Sequence, residues 1–162
     1  HTPYATIKQW FNRERFYNHI PTRLLRYRIP SKIWNNYFKF CIERNPWDKT
    51  VSHYYSLKKR SQQELSFNDY LNKGDFCINH PLYTDEKGRL MVDKVIRYEL
   101  LNEELEEIFD KLGVPFSGEL TEGAKIQYRS DKRPYVEKYD QHQKELIKEV
   151  FKKEIEMMGY SF

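Results

Sequence analysis

The sequence predicts an α/β fold rich in helix, on three observations. Residues 38–43 and 91–98 each alternate in the short pattern of a strand. Longer runs with helical spacing surround them. The first strand breaks at Arg44-Asn45-Pro46 and runs straight on into a helix.

That junction, residues 38–60 (FKFCIERNPWDKTVSHYYSLKKR), organises the chain. Phe38, Phe40 and Ile42 alternate with Lys39, Cys41 and Glu43. Pro46 suits the first helical position, where its missing N–H costs nothing. Asp48 falls in the first turn, where a carboxylate meets the positive end of the helix. Val51, Tyr54, Tyr55 and Lys58 follow at helical spacing. A strand that delivers a basic residue at a helix mouth is a common way to hold a phosphate.

The remaining elements follow in order. Residues 1–15 predict a helix with Ile7, Trp10 and Phe11 on its apolar face. Residues 18–30 read as basic and irregular, bounded by Pro21 and Pro30 and carrying Arg23, Arg26 and Arg28. Ser31 suits the cap of a short helix through Ile33, Trp34 and Tyr37. Past the junction, Ser66 is a cap and Gly74 a stop for another short helix. Residues 75–90 read as an exposed connection with a turn at 84–88. After the second strand, Asn102 is the cap of a helix with Leu105, Ile108, Phe109 and Leu112 inward, and Gly113 ends it. Residues 114–133 read as a long polar loop. Asp140 caps a final helix over 141–158, with Leu146, Ile147, Val150, Phe151, Ile155 and Met158 at the helical repeat and Gly159 beyond.

Bulk composition narrows the class. A length of 162 residues favours one domain, and aromatics at 16% argue against a disordered chain. Lys and Arg number 28 against 24 Asp and Glu, a net charge of +4. That mild excess suits an anionic ligand without requiring nucleic acid. Cys41 and Cys77 do not make a disulfide framework, and Cys41, inside the strand, reads as a buried thiol. No run is long and apolar enough to span a membrane.

The junction's Arg44-Asn45-Pro46-Trp47-Asp48-Lys49, with Val51-Ser52 and Tyr54-Tyr55 beyond, resembles a known segment. It is similar to the 3′-phosphate-binding segment of sulfotransferases that use 3′-phosphoadenosine 5′-phosphosulfate (PAPS). The likeness is closest to the branch of carbohydrate sulfotransferases and their bacterial and phage relatives. Weaker likeness continues through Val95-Ile96-Arg97-Tyr98-Glu99-Leu100, Leu112-Gly113-Val114, Pro134-Tyr135, Tyr139-Asp140 and Gly159-Tyr160-Ser161-Phe162.

The resemblance implies a parallel sheet flanked by helices, like the P-loop nucleotide kinases. It also implies a single sulfotransferase-like domain over residues 1–162, lacking the family's first strand and its Pro-Lys-Thr/Ser-Gly-Thr/Ser loop for the 5′-phosphosulfate. No such loop occurs in the sequence, and the family pattern would place it upstream of His1. Such an N-terminally truncated domain is expected to bind nucleotide weakly and turn over poorly alone. The implied activity is sulfuryl transfer from PAPS to a hydroxyl or amine acceptor, in particular a carbohydrate, with no metal. The implied compartment is cytoplasmic in a prokaryote or phage and the Golgi lumen in a eukaryote.

Site roles carry over by position. Arg44 and Ser52 match the pair that grips the 3′-phosphate, and Arg presents a fixed fork of donors suited to it. Lys132 and Arg133 end the basic run 129–133, where relatives place a loop that closes over the nucleotide. His1, in His1-Thr2-Pro3-Tyr4-Ala5, matches a His that takes the acceptor's proton in some members, chemistry that a neutral imidazole performs well. Each has a plainer alternative. Arg44 can simply pair with a carboxylate, Asp48 being the near one, and Ser52 can face solvent. Lys132 and Arg133 can be a solvated charge run, and a terminal His a disordered one. The Arg23, Arg26 and Arg28 cluster attracts an anionic acceptor or is simply surface. Glu99 orients a catalytic loop or pairs with Arg97 or Lys94. His53 reads as a helix-surface or packing residue, and His19, His80 and His142 lack metal-ligand spacing. Two other functions compete: a non-catalytic nucleotide- or polyanion-binding module keeping only the 3′-phosphate site, and a nucleic-acid-binding domain, for which no motif occurs.

Overall fold

The structure, a computed structural model, describes residues 16–61, 64–118, 120 and 133–162. The helix expected over 1–15 lies outside these residues, as does most of the loop at 114–133. The described elements run α1 (Thr22–Arg28), α2 (Ser31–Asn36), β1 (Phe40–Glu43), α3 (Pro46–Ser61), α4 (Phe67–Lys73), α5 (His80–Tyr83) and β2 (Lys94–Arg97). A 3₁₀ turn (Tyr98–Leu100) leads into α6 (Leu101–Leu112), and a second (Tyr135–Lys138) into α7 (Gln141–Val150) and α8 (Lys152–Met158). The fold is mixed α/β and helix-rich, with β1 and β2 paired in a small parallel sheet. The described residues gather into two compact units, one from 16–40 and 80–94, the other from 41–79 and 95–162.

In the first unit, the stretch expected to be irregular is helical. Pro21 and Pro30 each stand immediately before a helix, α1 and α2, where a proline removes no intrahelical bond. The amides of Leu24 and Leu25 bond back to Pro21 O at 2.9 and 3.0 Å. Ser31 is the first residue of α2 and makes no cap; its Oγ accepts instead from Arg26 at 3.4 Å. Residues 75–90 are not an exposed connection either. His80, Tyr83 and Thr84 are buried, and Thr22 Oγ1 donates to Leu82 O at 2.7 Å. The expected turn is present: Asp85 accepts the amides of Lys87 and Arg89, both at 2.9 Å.

In the second unit, α3 starts at Pro46 as its sequence requires. Trp47 and Tyr54 from α3, Tyr70 and Leu71 from α4, and Ile147 and Phe151 from the C-terminal helices form the core. Helix boundaries follow local chemistry. Ser66 accepts the Asp69 amide at 3.1 Å, and Asp140 forms a full capping box with Gln143. Gly113 ends α6 at φ 65°, a left-handed angle that glycine takes without a steric cost. Asn102 sits inside α6 rather than at its cap. The final helix is interrupted at buried Phe151 (φ −106°, ψ 24°), although Phe151 N still reaches Ile147 O at 3.0 Å.

β1 faces the opposite way from the simplest hydrophobic reading. Phe40 and Ile42 are 37% and 44% exposed, whereas Glu43 is fully buried. Polar partners make that burial tolerable. Lys49 Nζ lies 2.5 Å from Glu43 Oε1, and Asn79 Nδ2 and the Arg44 amide donate to the same oxygen at 3.4 and 3.3 Å. Lys49 in turn lies over the Phe151 ring at 4.7 Å. Cys41, on the inward face with Glu43, has its thiol pKa raised from 9.0 to about 12, first by burial and then by the Glu43 charge.

Candidate anion-binding site at the strand-to-helix junction

Arg44 leaves β1 and meets the first turn of α3. It donates through Nε to Asp48 Oδ2 at 2.8 Å, and a terminal nitrogen reaches the same oxygen. Its guanidinium lies 4.5 Å from the centre of the Tyr98 ring, just past β2. Asp48 therefore holds Arg44. Ser52 follows Asp48 by one helical turn and Tyr55 follows Ser52 by three residues, so the three share a face of α3. Ser52 and Tyr55 are half-buried there.

The junction itself is pinned by Asn45, every polar group of which is used. Its amide donates to Glu99 Oε1 at 2.7 Å, and its carbonyl accepts Lys49 N at 2.8 Å. Its side-chain oxygen accepts Trp47 N at 3.1 Å. Its side-chain nitrogen donates to Ser161 O at 2.9 Å and to the Tyr135 hydroxyl at 3.3 Å. The amides of Arg44, Asn45 and Trp47 thus all have side-chain acceptors, and Pro46 has no N–H. The helix mouth, expected to help hold a phosphate, has spent these donors internally. Of these groups, the Arg44 side chain is the one with donors left to offer an anion.

The second 3₁₀ turn packs against α3 and completes the surroundings. Tyr139 donates to Trp47 O at 2.7 Å, and Lys138 Nζ donates to the Tyr55 hydroxyl at 3.0 Å. The phenols of Tyr135 and Tyr160 are both held neutral by upward pKa shifts. Burial is the first cause in each; the charges of Asp48 and Glu99 add for Tyr135, and that of Glu99 for Tyr160. The Tyr160 hydroxyl lies 3.2 Å from Glu99 Oε2 and 3.1 Å from Glu43 O.

Of the site residues expected from sequence, Arg44 reaches Asp48, and Ser52 lies one helical turn beyond Asp48 on α3. Arg133 is exposed, just before the 3₁₀ turn, while Lys138 from that turn reaches α3. His1 and Lys132 lie outside the described residues. His53 is half-buried and packs edge-on against Tyr70, its Nδ1 3.0 Å from the Tyr70 hydroxyl. Glu99 bonds the Asn45 amide of the junction and the Tyr160 hydroxyl. Sequence reading missed Tyr98, Tyr135 and Lys138, because no local pattern announces a contact across 54, 90 or 83 residues. Among the described residues, no group of three or more His, Cys, Asp or Glu is placed to hold a metal. No described helix is long and apolar enough to cross a membrane.

No family model matches the chain, and no solved structure does. An uncharacterized protein of Archaeoglobus fulgidus is 34% identical over 101 residues, 59% of this chain and 84% of that protein. At that identity and coverage, the chain belongs to the same family as the archaeal protein.

Proposed function

We propose that the chain is a PAPS-dependent sulfotransferase domain on a P-loop-kinase-like parallel sheet, acting on a hydroxyl or amine acceptor, with a carbohydrate as the favoured class. The observation that supports this reading best is the state of Arg44. Asp48 takes two of its five N–H donors through one oxygen. Three N–H groups then have no acceptor among the described residues, and Tyr98 supports the flat of the group. An arginine held along one edge and open along another suits a phosphate dianion, and Ser52 lies along the same helix face to add a hydroxyl.

The reaction is an in-line displacement. The acceptor oxygen or nitrogen bonds to sulfur as the bond from sulfur to the 5′-phosphate oxygen breaks. The acceptor's proton passes to a base, and 3′-phosphoadenosine 5′-phosphate departs. Arg44 and Ser52 would bind the donor's 3′-phosphate and take no part in bond breaking. His1, the sequence candidate for the base, lies outside the described residues.

Calorimetry with 3′-phosphoadenosine 5′-phosphate and adenosine 5′-phosphate tests the reading. The wild-type chain is expected to prefer the nucleotide that carries the 3′-phosphate, and Arg44→Ala to lose that preference. Equal affinity for the two nucleotides in the wild type would sink the proposal. Binding of the bisphosphate with no sulfated product on any hydroxyl or amine acceptor would favour the non-catalytic nucleotide-binding alternative.

A further inference from the structure

Glu99 stands in the 3₁₀ turn that follows β2, and its carboxylate is divided between two parts of the second unit. Oε1 accepts the Asn45 amide at 2.7 Å, and Oε2 faces the Tyr160 hydroxyl at 3.2 Å. Asn45 is the residue between Arg44 and the helix. A charge-assisted bond to its amide fixes the backbone immediately after Arg44, and therefore the line along which that side chain leaves the strand. The same bond fills a donor at the mouth of α3 that would otherwise attract an anion. A carboxylate beside the mouth also repels any anion that approaches the backbone there. The neutral Tyr160 phenol, raised in pKa by burial and by Glu99 itself, keeps a proton to donate.

We infer that Glu99 is a positioning residue for the Arg44 grip: it fixes the Asn45 turn and closes the helix mouth, so that a phosphate on an extended ligand engages the guanidinium and a small free anion finds no backbone site. This rests on the reading of Arg44 as a phosphate grip. The substitution that separates positioning from general support is Glu99→Gln. Its amide oxygen can still accept the Asn45 N–H, so the turn keeps its bond. Glu99→Ala removes the acceptor, frees the Asn45 amide and removes the repelling charge.

The test measures the ratio of affinities for 3′-phosphoadenosine 5′-phosphate and inorganic phosphate by calorimetry on the 162-residue chain. Circular dichroism and thermal melting verify that each variant is folded. Glu99→Gln, which keeps an acceptor for the Asn45 amide but loses the repelling charge, is expected to lower the ratio about threefold. Glu99→Ala is expected to lower the ratio about tenfold, the scale of one charge-assisted hydrogen bond. A merely structural role would lower the melting temperature and leave the ratio in place. If Glu99→Ala does not fold, Tyr160→Phe carries the test, with an expected fall of about threefold from the loss of one of two anchors. An unchanged ratio in the folded variant overturns the inference while leaving the Arg44 reading intact. A wild type that does not distinguish the bisphosphate from adenosine 5′-phosphate overturns both, through the Arg44 reading.

Discussion

Asp48 holds Arg44 by a single carboxylate oxygen, one helical turn into α3, and leaves part of the guanidinium uncommitted. Arg44→Lys keeps the charge but not the fork: an ammonium can meet Asp48 or a phosphate, and cannot span both edges. Arg44→Lys is therefore expected to weaken binding of 3′-phosphoadenosine 5′-phosphate about tenfold while changing thermal stability little. Titration calorimetry beside a melting curve reads both, and near-native affinity in this variant would count against a forked contact.

The buried Glu43–Lys49 pair gives an asymmetric prediction for stability. Glu43 is wholly buried and Lys49 nearly so, and they meet at 2.5 Å. Lys49→Met strands the carboxylate and is expected to cost about 3–5 kcal/mol in urea unfolding. Changing Glu43 as well, to Gln, is expected to recover much of that loss, because the uncompensated charge is gone.

Asn45 distinguishes hydrogen bonding from packing. Asn45→Ala loses three side-chain bonds and is expected to destabilise by about 2 kcal/mol. Asn45→Asp keeps an acceptor for Trp47 N but sets a carboxylate against Ser161 O and near Glu99. It is expected to be at least as harmful, and chemical denaturation of the two variants side by side decides it.

Cys41 gives a pH dependence whose sign follows from its shift. With the pKa raised from 9.0 to about 12, the folded chain keeps a proton that the unfolded chain releases. The associated stability is complete below pH 9 and is lost as pH rises from there toward 12. Denaturation midpoints of wild type are expected to fall more steeply over that range than those of Cys41→Ala. Iodoacetamide at pH 8 is expected to spare Cys41 in the folded chain and modify it in urea.

Much local chemistry was legible in the sequence, although Ser31 and Asn102 do not make the caps expected of them, and long-range chemistry was not legible. Pro46, Ser66, Gly113 and Asp140 act within a turn of their own positions, and each stands where its type predicts. Asp48 was also readable as a holder of Arg44, since one helical turn separates Asp48 from the end of β1. The phase of β1 was not: alternation allows either face inward, and the deciding partners of Glu43 are Lys49 and Asn79, off the strand. The helix at Thr22–Arg28 was hidden by its flanking prolines, which mark its entry and that of the next helix. The interruption at Phe151 has no glycine or proline to announce it. At the candidate site, the phosphate-type arginine was visible and its Tyr98, Tyr135 and Lys138 surroundings were not, because they come from segments that only folding brings together.

Asn45 closes loops to Glu99, Tyr135 and Ser161, which lie 54, 90 and 116 residues further along the chain. On the ribosome, the strand and helix on either side of it are complete long before any of those partners exists. The turn that aims Arg44 must therefore lock late, whatever the speed of its neighbours. Substitutions at Asn45 should accordingly quicken unfolding and leave the folding rate almost untouched. Until residue 161 has been made, a nascent chain carries the arginine but not the frame that directs it.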